Sequence, residues 1–252
     1  MKGELNMIYN VIERKQKEKP YLTFYAPNVF LVGFTNPGWN GTMEVSTDAI
    51  TWQEYNGANT RAALSNGQYR LFFRGKNNTV ITGEQNLANS HFNIMSPIQG
   101  MRMSCEGSVE TLLDYETYES GGHPPMDNSC FACMFIKQQL INSPRLTSPV
   151  LSENCYFGMF LGCSYMSTIP ALAATNLPKQ CYTAMFKGCS NIKVSAEKSD
   201  EYTIPYRIPS IGDAETVGEN CLAEMFGDTG GTYQGDASAN TTYWLHKDNS
   251  VV

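Results

Sequence analysis

Residues 154–164 read NCYFGMFLGCS, and residues 180–190 repeat the pattern as QCYTAMFKGCS. Cys155 and Cys181 hold the same place in the two stretches and are 26 residues apart. Looser copies lie on both sides, one starting at Cys130 (CFACMF) and one at Cys221 (CLAEMF). A sequence that repeats at a fixed interval of about 20 to 50 residues is typical of stacked repeats, in which each copy buries its apolar side against the next. The copies therefore predict the fold of the second half of the chain.

Each copy carries apolar residues that we interpret as one helix facing the core. Residues four apart lie on one side of a helix, so we expect the Cys, Met and Phe positions to form buried ladders. Gly162 and Gly188 would end two of these helices, and segments such as 169–172 (IPAL) would be extended because proline disfavours helix. One helix and one extended segment per copy predict an α/β, leucine-rich-repeat-like solenoid with terminal caps over residues 100–252. The predicted repeat core consists of Cys155, Met159, Phe160, Cys181, Met185, Phe186, Cys221, Met225 and Phe226.

The eight cysteines follow the repeat rather than a disulfide pattern. Packed helices have axes about 10 Å apart, whereas a disulfide needs Cα atoms within about 7 Å. The spacing favours free thiols that act as small apolar groups over a disulfide framework. Cys130 and Cys133 form a lone pair with no second pair or histidine at a zinc-ligand spacing. We therefore expect no metal site and no cofactor.

In the first half of the chain, after residue 20, the apolar residues recur every second position, as in a β-strand, instead of at the spacing of a helix. Residues 42–46 (TMEVS) and 50–55 (ITWQEY) alternate, with residues 47–49 between them as a hairpin loop. Further strands are predicted over residues 21–26, 29–34, 68–74, 79–82 and 91–98. Short strands at this spacing, without a helix signal between them, predict an antiparallel β-sandwich over residues 21–99.

Residues 1–20 are predicted to form a short N-terminal helix. Leu5, Ile8, Val11 and Ile12 form the apolar stripe of an amphipathic helix, which charged residues follow and Pro20 ends. A helix with one narrow stripe needs a surface to cover it, either on its own domain or in a larger assembly. The segment lacks the apolar run of about 7–15 residues that a secretory signal contains. We therefore expect either no export by the general route, which is the simpler reading, or a signal that has been removed.

Charge and motifs exclude several functions. The net charge of −6, without a basic stripe, disfavours a nucleic-acid partner. The sequence contains no apolar run of about 18 residues, the length that membrane insertion requires, so we expect no membrane insertion. His91, His123 and His246 lie far apart, with no nucleophile motif or phosphate-binding loop around them. The sequence therefore predicts that the protein is not an enzyme.

Residues 100–122 connect the two halves and are rich in carboxylates. Val109, Leu112 and Leu113 could begin a short helix or cap the repeats. Two carboxylates held about 5–9 Å apart in a groove could cleave a glycosidic bond, but we favour an acidic surface on the cap. The carboxylates are Glu106, Glu110, Asp114, Glu116 and Glu119.

Residues 170–190 (PALAATNLPKQCYTAMFKGCS) resemble the BspA-type leucine-rich-repeat family, whose consensus is similar to P-x-L-P-A-T-x-L-x-x-x-C-Y-x-x-M-F-x-G-C-S-x-L. Ala173 replaces the second proline, and Lys137 and Gln138 in the first copy replace the Gly-Cys pair. The first half of the chain also resembles the domain that accompanies these repeats, through residues 44–52 and 73–75. The family occurs on the surfaces of gut anaerobes and in virion proteins of their phages. The resemblance implies binding surfaces and brings no catalytic residues.

Two non-enzymatic functions fit this resemblance. The first, which we favour, is a phage virion structural protein (a head fibre, decoration protein or tail-associated fibre) that displays the repeats on the virion surface. It would attach to a host glycan or protein, and residues 1–20 would bind other virion proteins and hold a homo-oligomer, for which we expect a trimer. The alternative is an adhesin on the bacterial cell surface, and a glycan-active enzyme is a weaker third reading.

The interval before Cys221 is longer than the others by about 14 residues, 193–206, and insertions in repeat proteins form loops on one face. We expect a contact loop there, with Glu197, Asp200, Tyr202 and Tyr206 as its candidate contact residues.

Overall fold

The computed structural model describes residues 20–83 and 89–252. The predicted N-terminal helix, with its stripe of Leu5, Ile8, Val11 and Ile12, lies outside the described residues. Within them the chain is mainly β, with several antiparallel sheets and one helix, so the prediction of a mainly β first half is confirmed. The described residues contain no helix with the length and hydropathy that a membrane crossing requires.

Nine strands form two antiparallel sheets in the first half of the chain. They are β1 (Leu22–Ala26), β2 (Leu31–Thr35), β3 (Thr42–Ser46), β4 (Gln53–Glu54), β5 (Thr60–Arg61), β6 (Ala63–Ser65), β7 (Gln68–Lys76), β8 (His91–Met95) and β9 (Ser104–Glu106). One sheet has the order β4-β3-β7-β1-β9, with β6 also paired to β7, and the other has the order β5-β2-β8. The predicted hairpin over residues 42–55 is present as β3 and β4. The predicted strand over residues 79–82 is absent from the structure.

Aromatic side chains join the two sheets. Phe24 and Phe73 from the larger sheet pack edge-on against Phe92 of β8, with ring centroids 5.1 and 5.4 Å apart. Phe92 then stacks on Phe135 in the first copy of the repeat, at 5.6 Å and 12° between ring planes. The buried core therefore continues from the sheets into the repeats. The predicted division of the chain at residue 99 stays a prediction.

The helix α1 (Thr111–Glu119) follows β9. Leu112 and Leu113 are fully buried, as is Val109 just before it. Strand β7 passes this helix so closely that a Cβ atom on Gly75 would lie 1.8 Å from the carbonyl oxygen of Leu112. Glycine at this position is what lets α1 pack on the sheet.

The copies consist of tight turns, so the prediction of one helix in each copy is wrong. Met159 donates its N–H to the Tyr156 carbonyl within the same copy (3.2 Å), whereas Phe160 donates to the Met185 carbonyl of the next copy (3.0 Å). Every fourth residue has a positive φ, including Gly158 (55°) and Gly162 (75°), which a right-handed helix does not contain. The backbone therefore repeats every four residues, and side chains four apart still share a face.

Two stacks of aromatic rings run through the copies. Phe131, Tyr156 and Tyr182 form one stack, with ring centroids 5.7 and 5.8 Å apart. The other continues from Phe92 through Phe135, Phe160, Phe186 and Phe226, with spacings between 5.5 and 6.3 Å along the last four rings. All nine residues predicted to line the repeat core are buried, and all eight cysteines are free and buried.

Short strands connect the copies on their other side. They are β10 (Thr168–Ile169), β11 (Asn176–Leu177), β12 (Lys193–Ser195), β13 (Tyr202–Arg207), β14 (Thr216–Val217), β15 (Gly230–Gly231), β16 (Thr242–His246) and β17 (Ser250–Val251). The pairs β11–β14 and β12–β15 are parallel, as expected for neighbouring copies of one unit, and β10 pairs in parallel with β17 of the C-terminal tail. The extra residues 193–206 and the tail together form a four-stranded sheet of order β13-β16-β12-β15.

Candidate functional site

The predicted contact residues lie in and beside the four-stranded sheet. Glu197 and Asp200 are exposed in the connection between β12 and β13, and Tyr202 is half-buried at the start of β13. Tyr206 is only 2% exposed, and its hydroxyl donates to the Pro170 carbonyl (3.0 Å). Burial raises the pKa of Tyr206. Tyr206 therefore belongs to the core, and its side chain is not accessible to a partner.

The strand β16 gives this sheet an inner and an outer face. Tyr243 and Leu245 are buried, whereas the alternate residues Trp244 and His246 are partly exposed, as the period of two in a strand requires. We call the outer face the Trp244 face. It comprises Ser195, Tyr202, Pro205, Arg207, Thr242, Trp244 and His246.

Trp244 stands between two short neighbours. Its cross-strand partners are Ser195 on β12 and Pro205 on β13, neither of which has a side chain long enough to cover an indole ring. Lys198 lies over the ring, with its Nζ 5.2 Å from the ring centroid. The indole is therefore a partly open platform with one ammonium group above it.

The end of the Trp244 face that contains His246 is polar. Nε2 of His246 lies 3.1 Å from Oε2 of Glu201, and Nδ1 lies 3.2 Å from Oδ2 of Asp248. The ring of Tyr202 packs edge-on against the imidazole at 5.5 Å. A hydrogen bond from Lys247 lowers the pKa of Glu201, so this carboxylate is ionised at neutral pH. The face thus combines an aromatic platform with hydrogen-bond acceptors next to it.

A second polar cluster surrounds Glu110, whose side chain is fully buried. Its carboxylate accepts a hydrogen bond from the Thr147 hydroxyl and lies 2.7 Å from Nδ1 of His123. The prediction that the carboxylates of residues 106–119 form an acidic surface is wrong for Glu110. The cluster ties the start of α1 to the segments that contain His123 and Thr147.

The other four acidic residues of this region also bind within the chain. Glu106 pairs with Arg70 (3.0 Å) and Glu116 with Lys76 (2.6 Å). Asp114 accepts from the Asn77 backbone (3.1 Å), and Glu119 accepts from the Tyr21 hydroxyl (2.5 Å). The Glu106–Arg70 pair links two strands of the larger sheet, and the other three bonds fasten α1 to that sheet and to the residues next to it, which is a structural role.

The cysteines are buried thiols. Burial raises the pKa of Cys155 and of Cys163 to about 12, so both are protonated at neutral pH. Across residues 20–83 and 89–252, no three His, Cys, Asp or Glu side chains are arranged to hold a metal ion.

From the sequence, His246 is only a histidine without a motif and Trp244 is not singled out, because the end of the chain is expected to form a terminal cap of the repeats. The alternation of residues 242–246 (TYWLH) was the available signal, but aromatic residues at both 243 and 244 hide which side is buried. No protein-family model, curated protein or solved structure matches this chain.

Proposed function

We propose that this chain is a non-enzymatic attachment protein of a phage virion, such as a head fibre, decoration protein or tail-associated fibre. In this proposal a β-sandwich and a leucine-rich-repeat-like solenoid form one stiff body, and the Trp244 face contacts the host surface. The observation that carries the proposal is the position of Trp244. Its side chain lies on the outer face of the four-stranded sheet that residues 193–206 and the tail form, outside the buried core.

The continuity of the core supports a stiff body. Ile81 and Phe92 of the first half donate their N–H groups to the Cys130 and Met134 carbonyls of the first copy, both at 2.9 Å. Phe160 and Phe186 bond to the following copy in the same way. A body held by both backbone bonds and stacked rings keeps its far end at a fixed distance from its base, which suits an attachment protein.

The composition of the Trp244 face supports attachment. Tyr and Trp are favoured at binding surfaces because they offer a large rigid area at a small entropic cost. On β16 the inner positions Tyr243 and Leu245 already fill the core, being 3% and 0% exposed. The core is therefore filled without Trp244, and a partner can contact the indole without disturbing the fold.

The location can be tested with antibodies raised against the full chain. The proposal predicts labelling of phage particles purified from a lysate in which the chain is produced, with the label on the particle surface. Label confined to intact bacterial envelopes would refute the virion proposal and favour the adhesin. Adsorption of the fluorescently labelled chain to host cells, compared between the wild type and Trp244→Ala, tests the face itself.

We also propose that the chain assembles as a homo-oligomer through residues 1–20, and we expect three copies. The same residues would contact other virion proteins. Multi-angle light scattering of the full chain and of a variant lacking residues 1–20 tests this. A trimer mass for the first and a monomer mass for the second are expected. A monomer mass for both would refute the assembly role.

A further inference from the structure

We propose that the Trp244 face binds an acidic sugar, with the sugar ring stacked on Trp244 and its carboxylate paired with Lys198. This inference rests on the proposed function and adds the chemical class of the ligand and the residues that select it.

The shape around Trp244 fits one sugar ring. Pro205 flanks the indole on β13 and is exposed, so the indole is open on that side, whereas Ser195 on β12 is 7% exposed. One face of a pyranose ring presents mainly C–H groups, which pack on the negative face of an aromatic ring. Tyr243 and Leu245 are buried on either side of Trp244 in the same strand, so the platform is held rigidly and loses little freedom on binding.

The charge on the platform selects an anion. Lys198 forms no ion pair within the described residues, whereas Lys247 on the same sheet is bound to Glu201 (2.8 Å) and Arg207 is bound to Asp213. The Lys198 ammonium lies over the indole ring, so a sugar that stacks on Trp244 takes its place and moves it to the edge of the ring, where a carboxylate on that sugar can reach it. A carboxylate on that sugar would gain a charge-assisted hydrogen bond.

The polar end can hold the rest of the sugar. Alternate residues of a strand are about 6.6 Å apart, so a ring on Trp244 reaches the neighbourhood of His246 and Glu201. The Glu201 side chain is 57% exposed and can accept hydrogen bonds from sugar hydroxyls. Glu201 is paired with Lys247 (2.8 Å) and lies 3.1 Å from His246, which offsets its repulsion of a carboxylate, and the more distant charges behind the net charge of −6 are screened beyond about 8 Å at physiological salt.

The test is a titration of the full chain, by NMR or calorimetry, with methyl galacturonide and with methyl galactoside, its neutral counterpart, which has a hydroxymethyl group in place of the carboxylate. We expect the acidic sugar to bind about fivefold more tightly, the size of one exposed ion pair. Lys198→Gln should abolish this preference but leave weak binding of both sugars. Trp244→Ala should weaken both by about tenfold or more, as for a central aromatic anchor, and Trp244→Tyr, which keeps a ring, should lose less.

Tyr165 and Arg102 provide the control. They form a matched cation–aromatic pair at 4.5 Å outside the Trp244 face, so Tyr165→Ala and Arg102→Gln should leave both affinities unchanged. Equal affinity for the two sugars, a preference that survives Lys198→Gln, or the absence of binding to either sugar would overturn the inference. The adsorption of the chain to host cells separates this inference from the proposed function. If cells adsorb the wild type but not Trp244→Ala, the attachment function stands even when the sugar inference fails. If cells adsorb neither the wild type nor the variant, the attachment function fails as well.

Discussion

The ring of Phe160 lies at the centre of the longer aromatic stack, and its removal tests the packing of the copies. The side chain is 0% exposed, and its ring is 5.5 Å from Phe135 and 5.9 Å from Phe186. Truncation to alanine loses about 1.5–3 kcal/mol of apolar burial and two ring contacts worth about 0.5–1.5 kcal/mol each. We expect Phe160→Ala to lower the free energy of unfolding by about 3–5 kcal/mol, the range measured for buried Phe→Ala changes.

Urea unfolding followed by circular dichroism measures this loss, and Phe157→Ala is the matched control. Phe157 is in the same copy but is partly exposed, so its truncation should cost no more than about 1.5 kcal/mol. In the Phe160→Ala variant, backbone amides should exchange faster in the repeat copies on both sides of residue 160, because the aromatic stack continues into both of them. Equal losses for the two variants, or a loss below about 1 kcal/mol for Phe160→Ala, would refute the stacked core.

Four further predictions concern single positions. Lys137 has a φ of 56°, a conformation that glycine adopts without strain, so Lys137→Gly should stabilise the chain by about 0.5–1 kcal/mol. Gly162 has a φ of 75°, and a Cβ atom there would meet Lys137, so Gly162→Ala should destabilise the chain by about 1 kcal/mol or more. Both are measured by urea unfolding, and the opposite signs would contradict the turn geometry. Burial raises the pKa of the Cys163 thiol to about 12, so an alkylating reagent at neutral pH should leave it unmodified until denaturant is added, as mass spectrometry would show. Hydrogen bonds from the Thr51 and Ile50 backbone lower the pKa of Asp48 to about 2, so its contribution is present above its ordinary pKa of about 3.9 and is lost as the pH falls towards 2. Asp48→Asn should flatten the acid limb of the thermal stability curve in that window, and an unchanged limb would contradict this role.

The positions of buried side chains in the copies could be predicted from the sequence, but the backbone that places them could not. A spacing of four between Cys155 and Met159 fits a helix and also fits turns that repeat every four residues. The deciding signal was the residue with positive φ, which is glycine at 158 but alanine at 184 and asparagine at 154. Glycine and asparagine favour that conformation, whereas Cys133, Lys137 and Ala184 give no sign of it in the sequence, so the four-residue turns could not be recognised from the pattern alone.

The surface was harder to predict than the core. The sequence predicts that Tyr206 is a contact residue, yet Tyr206 packs inward because it pairs with Tyr243, more than 30 residues later. Glu110 is buried because His123 and Thr147 approach it from other segments. Both outcomes depend on pairings distant in sequence, which a local pattern does not contain.

The most direct test of the account is retention of the full chain on immobilised envelope glycans from the host. The wild type and Tyr165→Ala should be retained, and Trp244→Ala, with an unchanged circular dichroism spectrum, should pass through. Equal retention of Trp244→Ala and the wild type would contradict the claim that the Trp244 face is the attachment surface.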